Sequence, residues 1–296
     1  MDEDALTQPA TRAKTVANQY IQDLYRLYTL HAHKNELTNP LQEILSIYKT
    51  PLFTLLFPTS ETRQQLAEFY FSKDLYVEAL EQFEQLQNET QTAERFQKIG
   101  YCHQQLNQLQ PAIEAYEQAD LLQPQNRWTM RRLAYCLKRT GNYAKALTYY
   151  QNCAKLMPEN TQLLLQIGHC QTELKRYEEA IATYFKADYL LPDNLQIRRI
   201  IAWCYLLAGK TTEACNYYEK LVTTSTESVD FLNAGHAYWL AGNAEKALSF
   251  YRKSAEHAPT KNHFFTAFFD DKKHLLALGI SEQDFSLWYD ALHYQL

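Results

Sequence analysis

The stretch PAIEAYEQADLLQP at residues 111–124 returns as KALTYYQNCAKLMP at 145–158 and as EAIATYFKADYLLP at 179–192, so that Pro124, Pro158 and Pro192 stand 34 residues apart. In each copy a small residue precedes an aromatic by four places, Ala112 and Tyr116, Ala146 and Tyr150, Ala180 and Tyr184. Residues four apart share one face of an α-helix. A fixed helical period of this length marks a stacked array, because one such unit cannot bury its apolar face alone and takes its stability from its neighbours.

Working outward, six consecutive stretches fit one register: 60–92, 93–126, 127–160, 161–194, 195–227 and 228–261. Each has an apolar residue at its seventh place or next to it and a small residue at the eighth, among them Gly100, Ala134, Gly168, Ala202 and Gly235. Each also has Ala near the twentieth place and an aromatic four later. Turn signals fall about fifteen residues in, at Gly141-Asn142, Gly209-Lys210 and Gly242-Asn243, where a helix pair must reverse. This pattern resembles the tetratricopeptide repeat family, whose units read W-x2-L-G-x2-Y, then A-x3-F, then P. It departs from the family in lacking Trp at the fourth place of any unit, and in having His103 and Gln171 where an aromatic is usual. The resemblance implies an all-α fold, a right-handed α-solenoid of tandem 34-residue helix-turn-helix repeats with helical caps.

The flanks do not keep the register. Residues 1–12 are expected to be a disordered tail and 13–59 a divergent N-terminal helical cap. Residues 262–296 are expected to form C-terminal capping helices, with one helix from about Thr260 to Leu278 ended by Gly279. Ser281 would cap a last helix with Asp284 three places on, presenting Phe285, Trp288 and Leu292 on one face.

Composition narrows the function classes. Gly is 7 of 296 residues, about 2% against a usual ~7%, too few for a Gly-rich phosphate-binding fold or a β-sandwich. The net charge of -5 sets up no global field toward nucleic acid or anionic membrane. The opening MDEDALTQPATRAK is acidic and has no apolar core of signal-peptide length, and no run of ~18 apolar residues occurs, so a cytoplasmic protein without membrane insertion is expected. No catalytic motif is present, His31-Ala-His33 is too short for a metal site, and neither enzyme activity, cofactor nor metal is expected. Cys102, Cys136, Cys170 and Cys204 recur every 34 residues. Equivalent helices pack ~8–10 Å apart, too far for the four thiolates to meet on one ion, so they read as small packing residues.

The resemblance implies that the first helix of each unit lines a concave groove and that the second, fifth, ninth, twelfth and thirteenth places face it. Those places and their immediate neighbours supply the candidate binding residues: Gln97, Tyr101, Trp128, Arg131, Arg132, Tyr135, Lys138, Arg139, His169, Arg199, Trp203, His236 and Trp239. Residues 127–160 carry seven Lys/Arg and one acid, whereas 60–92 carry two basic and seven acidic residues. Arginine and tryptophan together in a concavity are the residues of interaction hot spots, guanidinium for carboxylates and indole for apolar side chains. The expected partner is therefore a protein or peptide segment, acidic and partly apolar, and the expected function is a protein-interaction scaffold. Single-stranded nucleic acid, stacking on the same aromatics, is the alternative that the acidic net charge disfavours. Self-assembly into a structural homo-oligomer is another. Family members that bind chaperone tails carry Lys and Asn at the fifth and ninth places of their first repeat, where this chain has Gln64 and Glu68.

Overall fold

The computed structural model describes residues 19–24, 59–86 and 91–295. Contacts divide the chain into two units, Met1–Pro58 and Thr59–Leu296. In the first, only residues 19–24 are described, as helix, so the expected tail at 1–12 and nearly all of the expected cap at 13–59 lie outside the described residues.

Every element described in the second unit is helical. Six antiparallel pairs follow one another: α1 (Ser60–Ser72) with α2 (Tyr76–Gln85), α3 (Ala93–Gln105) with α4 (Leu109–Leu122), α5 (Arg127–Arg139) with α6 (Tyr143–Leu156), α7 (Thr161–Glu173) with α8 (Tyr177–Leu190), α9 (Leu195–Leu207) with α10 (Thr211–Leu221), and α11 (Ser228–Leu240) with α12 (Ala244–His257). Three helices close the chain: α13 (Lys261–Asp270), α14 (Lys272–Ala277) and α15 (Glu282–Gln295). Each helix of the six pairs packs on the one before and the one after it, which makes the fold an all-α solenoid.

The helices start and stop for local reasons. Asn126, Asn160 and Asn194, again 34 residues apart, cap α5, α7 and α9, with each side-chain oxygen accepting from backbone amides of the first turn at 3.0–3.2 Å. Between the two helices of every pair the chain passes through the left-handed region, at Gly141 (φ 79°), Gly209 (φ 72°) and Gly242 (φ 78°) as their glycines announce. Asp74, Asn107 and Lys175 hold the same place with φ of 58–60°, which the sequence pattern did not signal. Asp74 and Asn107 are residue types that tolerate this region, whereas at Lys175 the backbone turn, closed by the Arg176 amide on the Gln171 carbonyl at 2.8 Å, overrides side-chain preference.

Inside a pair, the small residue of the first helix meets the tyrosine of the second. A Cβ on Gly168 would lie 2.3 Å from Tyr184 Cε1, and one on Gly235 2.4 Å from Tyr251 Cε1. Both tyrosines are buried, so neither ring can yield. Gly168→Ala is expected to cost about 1–3 kcal/mol or more, as overpacking does, read as a fall in the thermal midpoint. An unchanged midpoint would show that the helices separate freely at this point.

The four ladder cysteines are buried as packing residues, and all six cysteines are free. Burial pushes the thiols of Cys136, Cys170 and Cys204 up to about 11 and that of Cys102 up to about 12, so they stay protonated and unreactive. The carboxyl-terminal expectation needs correction: the single helix expected from Thr260 to Leu278 is two, broken at Asp271, with Gly279 (φ 104°) ending the second. The break turns Phe264, Phe268 and Leu275 into one core with Phe285 and Leu292 of α15. Ser281 caps α15 as expected, accepting from the Asp284 amide at 3.0 Å and donating to its carboxylate at 2.6 Å.

Candidate binding groove

Side chains of the odd-numbered helices touch across successive pairs and form a continuous surface. Lys98 of α3 pairs with Glu68 of α1 at 2.9 Å. Gln97 Nε2 donates to Thr129 Oγ1 of α5 at 2.8 Å, and Lys138 Nζ to Gln166 Oε1 of α7 at 2.7 Å. Arg199 of α9 forks onto Asp230 of α11, Nε to Oδ1 at 2.5 Å and Nη2 to Oδ2 at 2.7 Å.

One part of this surface is open. Trp128 is 40% exposed, and Arg131 and Arg139 face solvent. The Arg132 guanidinium lies over the rings of Tyr101, at 5.0 Å, and Trp128, at 5.3 Å. Arg139 lies 5.9 Å from the Tyr135 ring centre and donates to its hydroxyl at 3.0 Å. Trp128, Arg131, Arg132, Tyr135 and Lys138 together line a pocket of about 360 Å³, whose far wall is Tyr150, Gln162, Leu163 and Gln166. Eight expected residues, Gln97, Tyr101, Trp128, Arg131, Arg132, Tyr135, Lys138 and Arg139, are thus brought to one place. Gln162 and Gln166 were missed; Gln162 stands at a groove-facing second place, and Gln166 is marked only by its bond to Lys138.

The electrostatics of the pocket are one-sided. α5 carries five cations and no acid, and among the described residues none of Arg127, Arg131, Arg132, Lys138 or Arg139 makes an ion pair. Lys98, Arg198 and Arg199, on neighbouring odd-numbered helices, are all ion-paired. His169 sits beside this patch, exposed at one edge, with its ring 6.2 Å from Tyr143. Partial desolvation and the Lys138 ammonium hold it below the usual histidine value, so it is neutral at pH 7.

The other four expected residues are elsewhere. His236 and Trp239 are buried, not groove-facing: His236 Nδ1 is 2.8 Å from the Tyr251 hydroxyl and Nε2 3.4 Å from Asp271, while Trp239 stacks on Phe268 at 6.3 Å and meets Trp288 at 5.3 Å. Trp203 is half-buried under His274 of α14, edge-on at 5.5 Å. Arg199 is consumed by Asp230, whose carboxylate is fully buried and also accepts from Ser225 at 2.5 Å. For His236, Trp239 and Trp203 the cause is α13 to α15, which fold back over α9 and α11 and cover that end of the surface; Arg199 is held instead by its neighbour in the next repeat. His274 even feels Glu173 at the end of α7, although burial and Lys273 outweigh the attraction and keep its pKa below the usual value.

Family profiles for the tetratricopeptide repeat match residues 93–126, 139–204, 200–228 and 231–261, just over half of the sequence. The chain belongs to the tetratricopeptide repeat family. Solved structures share the fold. A tetratricopeptide repeat protein from Parabacteroides merdae is 15% identical, with a TM-score of 0.56 over 78% of this chain and 97% of that one. The C-terminal part of a repeat protein of the same kind from Cytophaga hutchinsonii is 15% identical, with a TM-score of 0.55 over 75% of this chain and 98% of that one. YrrB, described as a TPR protein with an unusual peptide-binding site, is 19% identical, with a TM-score of 0.51 over 62% of this chain and 95% of that one. The comparison with curated proteins returned no match.

Proposed function

We propose that this protein is an interaction scaffold whose groove takes an acidic, partly apolar protein segment between Gln97 and Arg139. The observation that carries the reading is the run of five cations on α5 with no carboxylate partner among the described residues, beside an exposed indole and a pocket large enough for one apolar side chain. Guanidinium groups that are stacked but unpaired are already oriented, so a ligand carboxylate meets them at little entropic cost. Stacked arginine also argues against nucleic acid, because Arg132 covers the Tyr101 and Trp128 faces on which a base would stack. Six free cysteines support a reducing compartment, the cytoplasm, and no described helix is long and apolar enough to cross a membrane.

The test is titration of the full chain with a fluorescein-labelled peptide of alternating Glu and Leu residues, with its Lys counterpart and a labelled oligothymidine as controls. Binding of the Glu peptide alone is expected, weakening with salt. Arg131→Glu/Arg139→Glu is expected to lower that affinity by about tenfold to a hundredfold, the effect of reversing charge at an interface, with an unchanged circular dichroism spectrum. Equal affinity in the variant would remove the groove from consideration. Preference for the oligonucleotide would establish the rival reading.

A further inference from the structure

The groove asks for a helix or strand that is acidic and partly apolar, and the chain displays such a surface on its own outer side. α4 carries Glu114, Glu117 and Asp120 and no Lys or Arg, and α2 carries Glu78, Glu81 and Glu84 and likewise none. Along the exposed ridge of α4 run Glu114, Gln118, Leu121 and Leu122, with Leu121 73% and Leu122 50% exposed. Among the described residues, neither Glu114 nor Glu117 makes an ion pair. From Glu114 to Leu122 is eight residues, ~12 Å of helix, and Arg131 and Arg139 are spaced the same way on α5.

We propose that the groove around α5 of one copy takes the α4 ridge of a second copy. The inference rests on the groove reading above and names its occupant. Charge complementarity carries it: α4 carries three carboxylates and no cation, with Glu114 and Glu117 outside any ion pair among the described residues, and α5 five cations and no carboxylate. Within one copy the two are separate surfaces: no residue of α4 lines the pocket around α5, and Glu114, Gln118, Leu121 and Leu122 are exposed. The two patches are different surfaces, so the contact is head-to-tail. Such a contact adds copies in a row unless the rotation closes a ring.

Sedimentation velocity of the full chain over a range of concentrations tests this. At low salt the particle is expected to grow with concentration, and at about 0.5 M salt to return to one chain of 34.7 kDa, because exposed charge pairs are screened. Glu114→Lys/Glu117→Lys and Arg131→Glu/Arg139→Glu should each stay monomeric at low salt. Mixed together, the neutral variants Glu114→Gln/Glu117→Gln and Arg131→Gln/Arg139→Gln should form a particle of two chains and no larger, since only one charged groove and one charged ridge remain. Should a charge reversal disturb the helical spectrum, Glu114→Gln/Glu117→Gln serves in its place. A wild-type chain that is monomeric at both salts, or single variants that associate as wild type does, overturns the proposal, as does a mixture that fails to pair. The groove reading fails separately: Glu114→Lys/Glu117→Lys keeps its groove and must still bind the Glu peptide, whatever its state of association.

Discussion

Arg199→Ala is expected to destabilise the protein by about 3–5 kcal/mol, because it leaves a buried carboxylate without its counter-ion. Asp230 is fully buried, and of the three bonds described to its oxygens two come from Arg199, at 2.5 and 2.7 Å, and only one from Ser225. At roughly 2–4 °C of thermal midpoint per kcal/mol for a domain of 150–250 residues, the loss would be read as a fall on the order of 6–20 °C. In a stacked array the damage concentrates at the broken interface, so hydrogen exchange should rise first in α9 and α11 and little in α3 and α4. Arg199→Lys keeps the charge without the fork and should recover only part of the loss. A midpoint within about 1 °C of wild type for the alanine variant would mean that Asp230 finds water, and the account of this pair would be wrong. The same geometry makes Arg199 a poor choice for testing ligand binding, since any effect there would be one of stability.

Phe268→Ala is expected to cost about 3–5 kcal/mol through the cavity it leaves. Phe268 is fully buried, with its ring 5.1 Å from Phe285, 5.3 Å from Tyr251, 5.5 Å from His236 and 6.3 Å from Trp239. These contacts hold α13 and α15 against α11 and α12, so their loss should loosen the covering helices before the rest of the array. Acrylamide quenching of Trp239 and Trp288 fluorescence should rise in the variant while affinity for the Glu peptide stays unchanged, since α5 shares no contact with Phe268. If peptide affinity falls in step with stability, the open groove depends on the covering helices and the two regions are not independent.

Much of this was legible before any coordinates. Pro124, Pro158 and Pro192 set the period; small residues such as Gly168 and Gly235 set the close approach of helices within a pair, though only the structure showed that Tyr184 and Tyr251 are what they meet there; and the repeat register placed Trp128, Arg131, Tyr135 and Arg139 on one surface. The cap asparagines Asn126, Asn160 and Asn194 were equally readable as a periodic signal and were passed over. The same register also assigned His236, Trp239 and Trp203 to that surface, and there it misled. A repeat pattern says which side of a helix faces inward, but not what else lies against that side.

What the sequence determined by itself is everything that depends on neighbours at a fixed spacing: helix pairs, their turns, their close-packed small residues and the cationic face of α5. These follow from helical geometry and the 34-residue period, and stacking merely repeats them. What only the tertiary structure decided is the occupancy of the groove. The break at Asp271 lets α13 to α15 fold back over α9 and α11, burying Trp239 among Phe268, Phe285 and Trp288 and bringing His274 onto Trp203. Such contacts depend on how the non-repeating end of the chain is aimed, which no local propensity encodes. Among the described residues the arginines of α5 are unpaired, and α13 to α15 do not reach them.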